Sequence, residues 1–242
     1  MEEMFDNLRA DAHPLGEYRL IGKRGPRRID GIQKASGSAM YTMDIQLPGM
    51  LYMRFLTSPY PHAAIRSMDT SKAEALPGVR GILRYDDPEL PKAADLGGHQ
   101  PSLEPVVPAI ARFQGQEVGV AIAADTEAIA EQALTLVETE WEERSFVLDP
   151  EAALEPDAPL AAPELLPGGN HYNPDFFDVV ELGDVEQGFA EAETIVEFES
   201  RRRLHTWAGP ERPCGVFRWN GDCPEVWVKQ QRPHIAKRVI AS

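Results

Sequence analysis

The chain has 242 residues, 43% hydrophobic and 26% charged, with 39 acidic against 24 basic side chains and a formal net charge of −15. That length can bury a real core in one large domain or two smaller ones, and no run of about 18 apolar residues marks a membrane-spanning helix. Residues 86–200 hold 27 acids and three bases (Lys92, Arg112, Arg144); this excludes a nucleic-acid backbone binder and leaves a solvated acidic face or a surface for a basic partner.

Residues 1–15 read as a polar arm, and Met1–His13 lacks the basic start and apolar centre of a secretory signal, so a cytoplasmic protein is expected. A basic loop follows at Lys23, Arg24, Arg27 and Arg28, interrupted by Gly25-Pro26; surface solvation or an acidic partner would account for it. Leu51–Thr57 reads as a strand, residues 69–76 as a short helix capped by Asp69 and ended by Pro77-Gly78, and Val79–Tyr85 as a second strand. A proline-rich loop spans Pro88–Pro108.

The clearest local unit is Glu117–Glu143. Val118–Ala123 is an apolar run of strand length, Asp125 or Thr126 caps the next element, and Ala128, Ile129, Gln132, Ala133, Leu136 and Val137 fall at helical spacing. Glu138–Glu142 then alternates as a strand. This strand, helix, strand order predicts an α+β fold, a mixed sheet with packed helices. Asp149–Asn173, rich in proline, alanine and acid, is the best linker. Beyond it Gly183–Ala192 reads as a capped helix, Thr194–Ser200 as a strand, Pro213–Trp219 with Glu225–Lys229 as a hairpin about Asn220-Gly221, and Pro233–Ala241 as a helix opened by its proline.

Two cysteines, Cys214 and Cys223, flank the hairpin and could lie close in space as reduced thiols; two thiols are too few to hold an iron–sulfur cluster. His62, His171, His205 and His234 are widely spaced, with no histidine pair at i,i+4 and no Cys-x-x-Cys, so no protein-ligated metal is expected, and His62 and His234 read as structural hydrogen-bonding residues. Glu211 has no defined partner that would make it a general base.

Several short motifs occur in a fixed order. They are Arg28-Ile29-Asp30-Gly31, Lys34-Ala35-Ser36-Gly37-Ser38-Ala39-Met40-Tyr41, Pro48-Gly49-Met50-Leu51, Ser58-Pro59-Tyr60-Pro61-His62-Ala63, Gln114-Gly115-Gln116-Glu117, Gly183-Asp184-Val185-Glu186 and Gln231-Arg232-Pro233-His234. Each is weak alone. Together they resemble the start of the molybdopterin-binding large subunit of the xanthine dehydrogenase and aldehyde oxidase family, over nearly all of residues 16–242. The resemblance implies a hammerhead-type α+β domain at 16–148, a linker at 149–178 and the beginning of the molybdopterin-binding domain at 179–242.

The resemblance also implies chemistry. Enzymes of this family oxidise an electron-poor carbon with water as the oxygen source, on a molybdenum–molybdopterin centre, and act on purines, aldehydes, N-heteroaromatics or aromatic thioesters. The family's glutamine in glutamine-x-proline-histidine hydrogen-bonds an oxygen ligand of the metal; here it is Gln231, with Gln230 as the alternative one residue away. An uncharged amide suits that task because it donates without titrating. The run His205–Pro213 departs from the family's histidine, glutamate-proline pattern by about two residues at Glu211. The glycine-rich loop and catalytic glutamate of the family have no counterpart here: the two glycine pairs, Gly97-Gly98 and Gly168-Gly169, sit in loops. No catalytic residue is therefore expected in this chain, and the molybdenum cofactor would be shared with a chain completing the domain. FAD and 2Fe-2S clusters would reside on partner subunits, an iron–sulfur subunit and an FAD subunit. A scaffold protein that keeps the hammerhead fold, and a piece of a longer chain, are the alternatives.

Overall fold

The computed structural model describes residues 28–90, 105–163, 169–170, 182–202, 208–209 and 211–241. Along the chain the elements are α1 (Gly31–Ser36), a 3₁₀ turn (Thr42–Asp44), β1 (Tyr52–Thr57), β2 (Ala63–Asp69), α2 (Ser71–Glu74) and β3 (Val79–Arg84). They continue with β4 (Ile110–Ala111), β5 (Glu117–Ala124), α3 (Glu127–Thr135), β6 (Glu138–Glu143) and a 3₁₀ turn (Ala152–Leu154). Last come α4 (Val185–Glu191), β7 (Gly215–Asn220), β8 (Cys223–Val228) and α5 (Pro233–Ala241). Contacts group the described residues of Met1–Ile45 and Ala208–Lys229 into one unit, and those of Gln46–Trp207 and Gln230–Ser242 into a second.

The second unit is organised by β5. It is the middle strand of the sheet β1-β5-β3, and a second sheet runs β4-β2-β6. Every strand pairing among the described residues is antiparallel, so β5 and β6, joined by α3, belong to different sheets and form no parallel crossover. Val118, Val120 and Ile122 of β5 are fully buried with Ile65 and Met68 of β2, Ala73 of α2 and Ala133 of α3. Ala121 belongs to another cluster, with Leu90 and Val107 and the flanking Phe55 and Leu83. Burial on both faces is why β5 reads as a continuous apolar run rather than an alternating one.

Gly119 lies in the middle of that strand at φ +73°, and a Cβ there would fall 2.5 Å from Ile65 Cδ1 and 2.6 Å from Met68 Cε. The position marks an irregularity in register between Phe55 and Thr57 on the neighbouring strand. Only glycine meets both demands, the left-handed backbone and the close approach of β2.

Several boundaries differ from the sequence expectation. The helix expected at 69–76 is the four-residue α2, with Thr70 as its N-cap residue; Asp69 instead accepts the Ser71 amide at 2.9 Å, one step ahead of the helix. Of the two candidates for the cap of α3, Thr126 takes the role, its Oγ1 accepting the Ile129 amide at 3.2 Å. Asp125 is engaged elsewhere, in a bidentate pair with Arg80 at 2.8 and 2.7 Å. Residues 194–200, expected as a strand, form none. The alternation is there, but among the described residues no neighbouring strand supplies hydrogen bonds, and Val196 and Phe198 stay exposed at 80% and 87%.

Strand β2 has no clean period in the sequence. A register shift between Ile65 and Ser67 lets Ile65 and Met68, three apart, both reach the core. Helix α1 announces itself poorly for another reason: it buries no residue, and its ends are held by Gly37 at φ 73° and by Asp30, which pairs with Lys34 and Arg28. Those hydrogen bonds, the one to Lys34 foremost, pull the Asp30 carboxyl down to about 2. Lys23, Arg24 and Arg27 of the basic loop, the arm at 1–15 and most of the proline-rich loop lie outside the described residues.

Candidate functional site

The residues that bear on chemistry fall near the C-terminal end. In the first unit the hairpin β7–β8 is closed by a two-residue turn at Gly221-Asp222, because Asn220 pairs with Cys223. The expected turn pair, Asn220-Gly221, is thus one residue early. Asn220 stays in the ladder and donates through Nδ2 to Glu225 Oε1 at 2.8 Å. Arg218 joins the same carboxylate through Nε at 2.6 Å, and its guanidinium lies 5.5 Å over the Trp227 ring. The Asn220 and Arg218 hydrogen bonds hold the Glu225 carboxyl below its ordinary range.

The register corrects the cysteine expectation. Cys223 sits beside the turn, whereas Cys214 precedes Gly215, which pairs with Val228 at the open end. At about 3.3 Å per residue the two thiols are roughly 20 Å apart along the hairpin. Both are free. Near the open end Lys229 Nζ donates to the Glu211 backbone carbonyl at 2.8 Å, so Glu211 contributes its main chain to that fastening.

In the second unit, α5 opens at Pro233, whose missing N–H costs nothing in the first turn. The Arg232 carbonyl accepts from the Ile235 and Ala236 amides, both at 3.0 Å. Ahead of it the Gln230 Oε1 accepts from the Gln231 amide at 2.8 Å and the Arg232 amide at 3.1 Å. Gln230 is therefore spent on satisfying main-chain donors before the helix. Gln231 is exposed, and among the described residues nothing hydrogen-bonds its side chain. The engagement of Gln230 with the two amides that follow it went unread in the sequence.

Two histidines, His62 and His234, lie among the described residues. His62 is buried, its Nδ1 donating to the Ser145 carbonyl at 2.8 Å, a link from the segment before β2 to the chain beyond β6. His234 is exposed on α5, and His171 and His205 lie outside the described residues. Among the described residues no group of three or more His, Cys, Asp or Glu side chains could hold a metal ion. Part of the acidic run is a partnered surface: Glu140 and Glu142 of β6 face Arg66, each at 3.6 Å, and Glu138 pairs with Lys72.

Residues 36–145 match the family model described as aldehyde oxidase and xanthine dehydrogenase, a/b hammerhead domain. The chain belongs to the xanthine dehydrogenase and aldehyde oxidase family. The matched stretch takes in every strand from β1 to β6 with α2 and α3. The chain is 38% identical over 196 residues to a probable xanthine dehydrogenase subunit from Bacillus subtilis (strain 168), a match to 79% of this chain and 25% of that protein. It is 32% identical to the carbon monoxide dehydrogenase large chain of Afipia carboxidovorans, over 97% of this chain and 31% of that one. The nicotinate dehydrogenase large molybdopterin subunit of Eubacterium barkeri is 29% identical, over 93% of this chain and 51% of its own length. The chain therefore spans a quarter to about half of these curated relatives. The aldehyde oxidoreductase of Desulfovibrio desulfuricans ATCC 27774 shares the fold over 57% of this chain and 16% of that one, at a TM-score of 0.50 and 24% identity. Among the described residues no helix is long and apolar enough to cross a membrane.

Proposed function

We propose that this chain contributes the hammerhead domain (16–148), a linker (149–178) and the opening of the molybdopterin-binding domain (179–242) of a molybdenum hydroxylase large subunit. The observation that carries the proposal is the match to a carbon monoxide dehydrogenase large chain over 97% of this chain, well past the hammerhead, while 31% of that protein is covered. The enzyme would oxidise an electron-poor carbon with water as the oxygen source, and this chain alone would not turn over.

The described residues fit a positioning role toward the cofactor and not a ligating one. Among them no side-chain cluster could ligate a metal, and in this reading the pterin would hold it. They do offer an unengaged carboxamide at Gln231, beside the N-terminus of α5. When bound, molybdenum–molybdopterin would accept the reducing equivalents and activate water. Gln231 would present its amide N–H toward that centre, neutral at every working pH, and would do so without first breaking a protein hydrogen bond. Gln230 serves this role less well, since its oxygen is committed to two backbone amides. A chain completing the domain, an iron–sulfur subunit and an FAD subunit are the partners this reading requires.

Affinity purification of the chain, co-expressed with the neighbouring genes, followed by metal and flavin analysis, tests it. Molybdenum, iron and FAD in a stable complex support the proposal. Within such a complex Gln231→Ala is expected to keep assembly and metal content and to lose about 10²-fold in kcat, the scale of removing one preorganised donor. A folded, metal-free chain that purifies alone would favour the scaffold alternative and sink this one.

A further inference from the structure

The chain enters α5 under two constraints. Pro233 fixes its own φ and disfavours the helical region for the residue before it. On the other side the Gln230 Oε1 accepts from the Gln231 amide at 2.8 Å and from the Arg232 amide at 3.1 Å. The choice of donors is informative. A side chain that stabilises a helix start binds amides inside the first turn. Gln230 instead binds two amides that lie ahead of α5, which begins at Pro233.

A peptide unit is planar, so the two soft dihedrals of a residue, φ and ψ, lie between its own N–H and the next one. For Gln231 those are the two N–H groups that meet at the Gln230 oxygen. A rotation about φ or ψ of Gln231 swings one of them away from it. The Gln231 backbone is thereby tethered at both ends, while its side chain is exposed and, among the described residues, hydrogen-bonded by none. A tethered main chain under an open side chain is the arrangement of a presented group. The tethering oxygen belongs to a carboxamide, so it accepts both amides without placing a charge beside Gln231.

We propose that Gln230 is a positioning residue: its side-chain oxygen fixes the backbone of Gln231 and so sets the direction in which the Gln231 amide is offered. This rests on the role given to Gln231 above. A donor held in advance needs no reorganisation when its acceptor arrives.

Two variants and two readouts test this. Gln230→Ala removes the oxygen, and Gln230→Glu keeps an acceptor in its place. In the 242-residue chain, hydrogen exchange read at single amides should quicken about two- to tenfold at Gln231 and Arg232 in Gln230→Ala, the scale of one hydrogen bond. In Gln230→Glu it should stay at or below the parent rate, because a carboxylate accepts the same amides at least as well. The complex, reduced with dithionite, gives a second readout that needs no substrate, the electron paramagnetic resonance spectrum of molybdenum(V). Gln231→Ala should shift it, and Gln230→Ala should broaden the same features as the amide samples several directions. In a Gln231→Ala background, Gln230→Ala should change nothing further, since a residue acting through Gln231 has nothing left to position. Unchanged exchange in Gln230→Ala, or exchange equally fast in Gln230→Glu, overturns the tether. A spectral change that persists in the Gln231→Ala background overturns the proposal in favour of a residue that only steadies the start of α5. A spectrum that responds to Gln231→Ala and not to Gln230→Ala overturns the positioning role and leaves the role of Gln231 standing. A spectrum indifferent to Gln231→Ala, or a complex without molybdenum, removes both.

Discussion

Replacing Gly119 by alanine probes the point where β2 crosses β5. Two costs act at that position. A φ of +73° holds an L-residue in the left-handed region, at about 1–2 kcal/mol. The new Cβ would lie 2.5 Å from Ile65 Cδ1 and 2.6 Å from Met68 Cε, about 1 Å inside ordinary carbon contact. Both neighbours are side-chain ends in a close-packed core, so relief requires off-rotamer shifts of the kind that cost about 1–3 kcal/mol. Loss of glycine's freedom in the unfolded chain returns about 0.4–1 kcal/mol. The expected net loss is about 2–4 kcal/mol. Gly115 supplies the control: its φ is +87°, yet no atom lies within 4 Å of a Cβ built there. Gly115→Ala should therefore show the backbone cost alone, about 1 kcal/mol. Urea unfolding followed by circular dichroism measures both. Ile65→Val, which removes the Cδ1 in the way, should couple favourably to Gly119→Ala in a double-mutant cycle. Equal losses for the two glycine variants, within about 0.5 kcal/mol, together with strict additivity at Ile65, would refute the crowding argument.

Ile122 is fully buried at the centre of β5, and Ile122→Ala should cost about 2–5 kcal/mol in the same urea assay, against less than about 0.5 kcal/mol for the half-exposed Met53→Ala. The Arg80 hydrogen bonds hold the Asp125 carboxyl below its ordinary range. A folded-state pKa below the unfolded value of about 3.9 adds stability above that value and loses it as pH falls through the folded pKa. Asp125→Asn should therefore lower Tm slightly at pH 7, and the gap from the parent protein should close as pH falls below the ordinary carboxylate range; a gap that widened on acidification would reverse the sign of the argument.

The elements legible in the sequence are those whose signal is local. The strand β5 shows as an apolar run, α3 as a cap at Asp125 or Thr126 followed by 3.6-residue spacing, and β6 as alternation about Trp141. What fails is whatever depends on a second strand. Residues 194–200 carry as good an alternation as β6, but no described neighbour pairs with them, so the pattern yields no strand. At β2 the reverse holds: pairing with β4 and β6 makes a strand from a stretch whose period is broken at Arg66. The hairpin turn slipped by one residue because turn statistics weigh Asn220-Gly221 as a unit, whereas here the Asn220 side chain is held within the ladder by Glu225.

The same distinction governs the candidate site. Motif spacing points to Gln231, with Gln230 as the alternative one residue away, and the hydrogen bonds tell them apart independently: Gln230 turns its oxygen onto the two amides that follow, and its neighbour is left with an amide that nothing described engages. Periodicity likewise tells which side of β7–β8 is apolar without telling what lies over it. In β5 that chemistry is answered by Ile65, Met68, Ala73 and Ala133 from three other elements, and the strand is sealed. In the hairpin the edge-to-face pair Phe217 and Trp219 stays exposed at 50% and 65%.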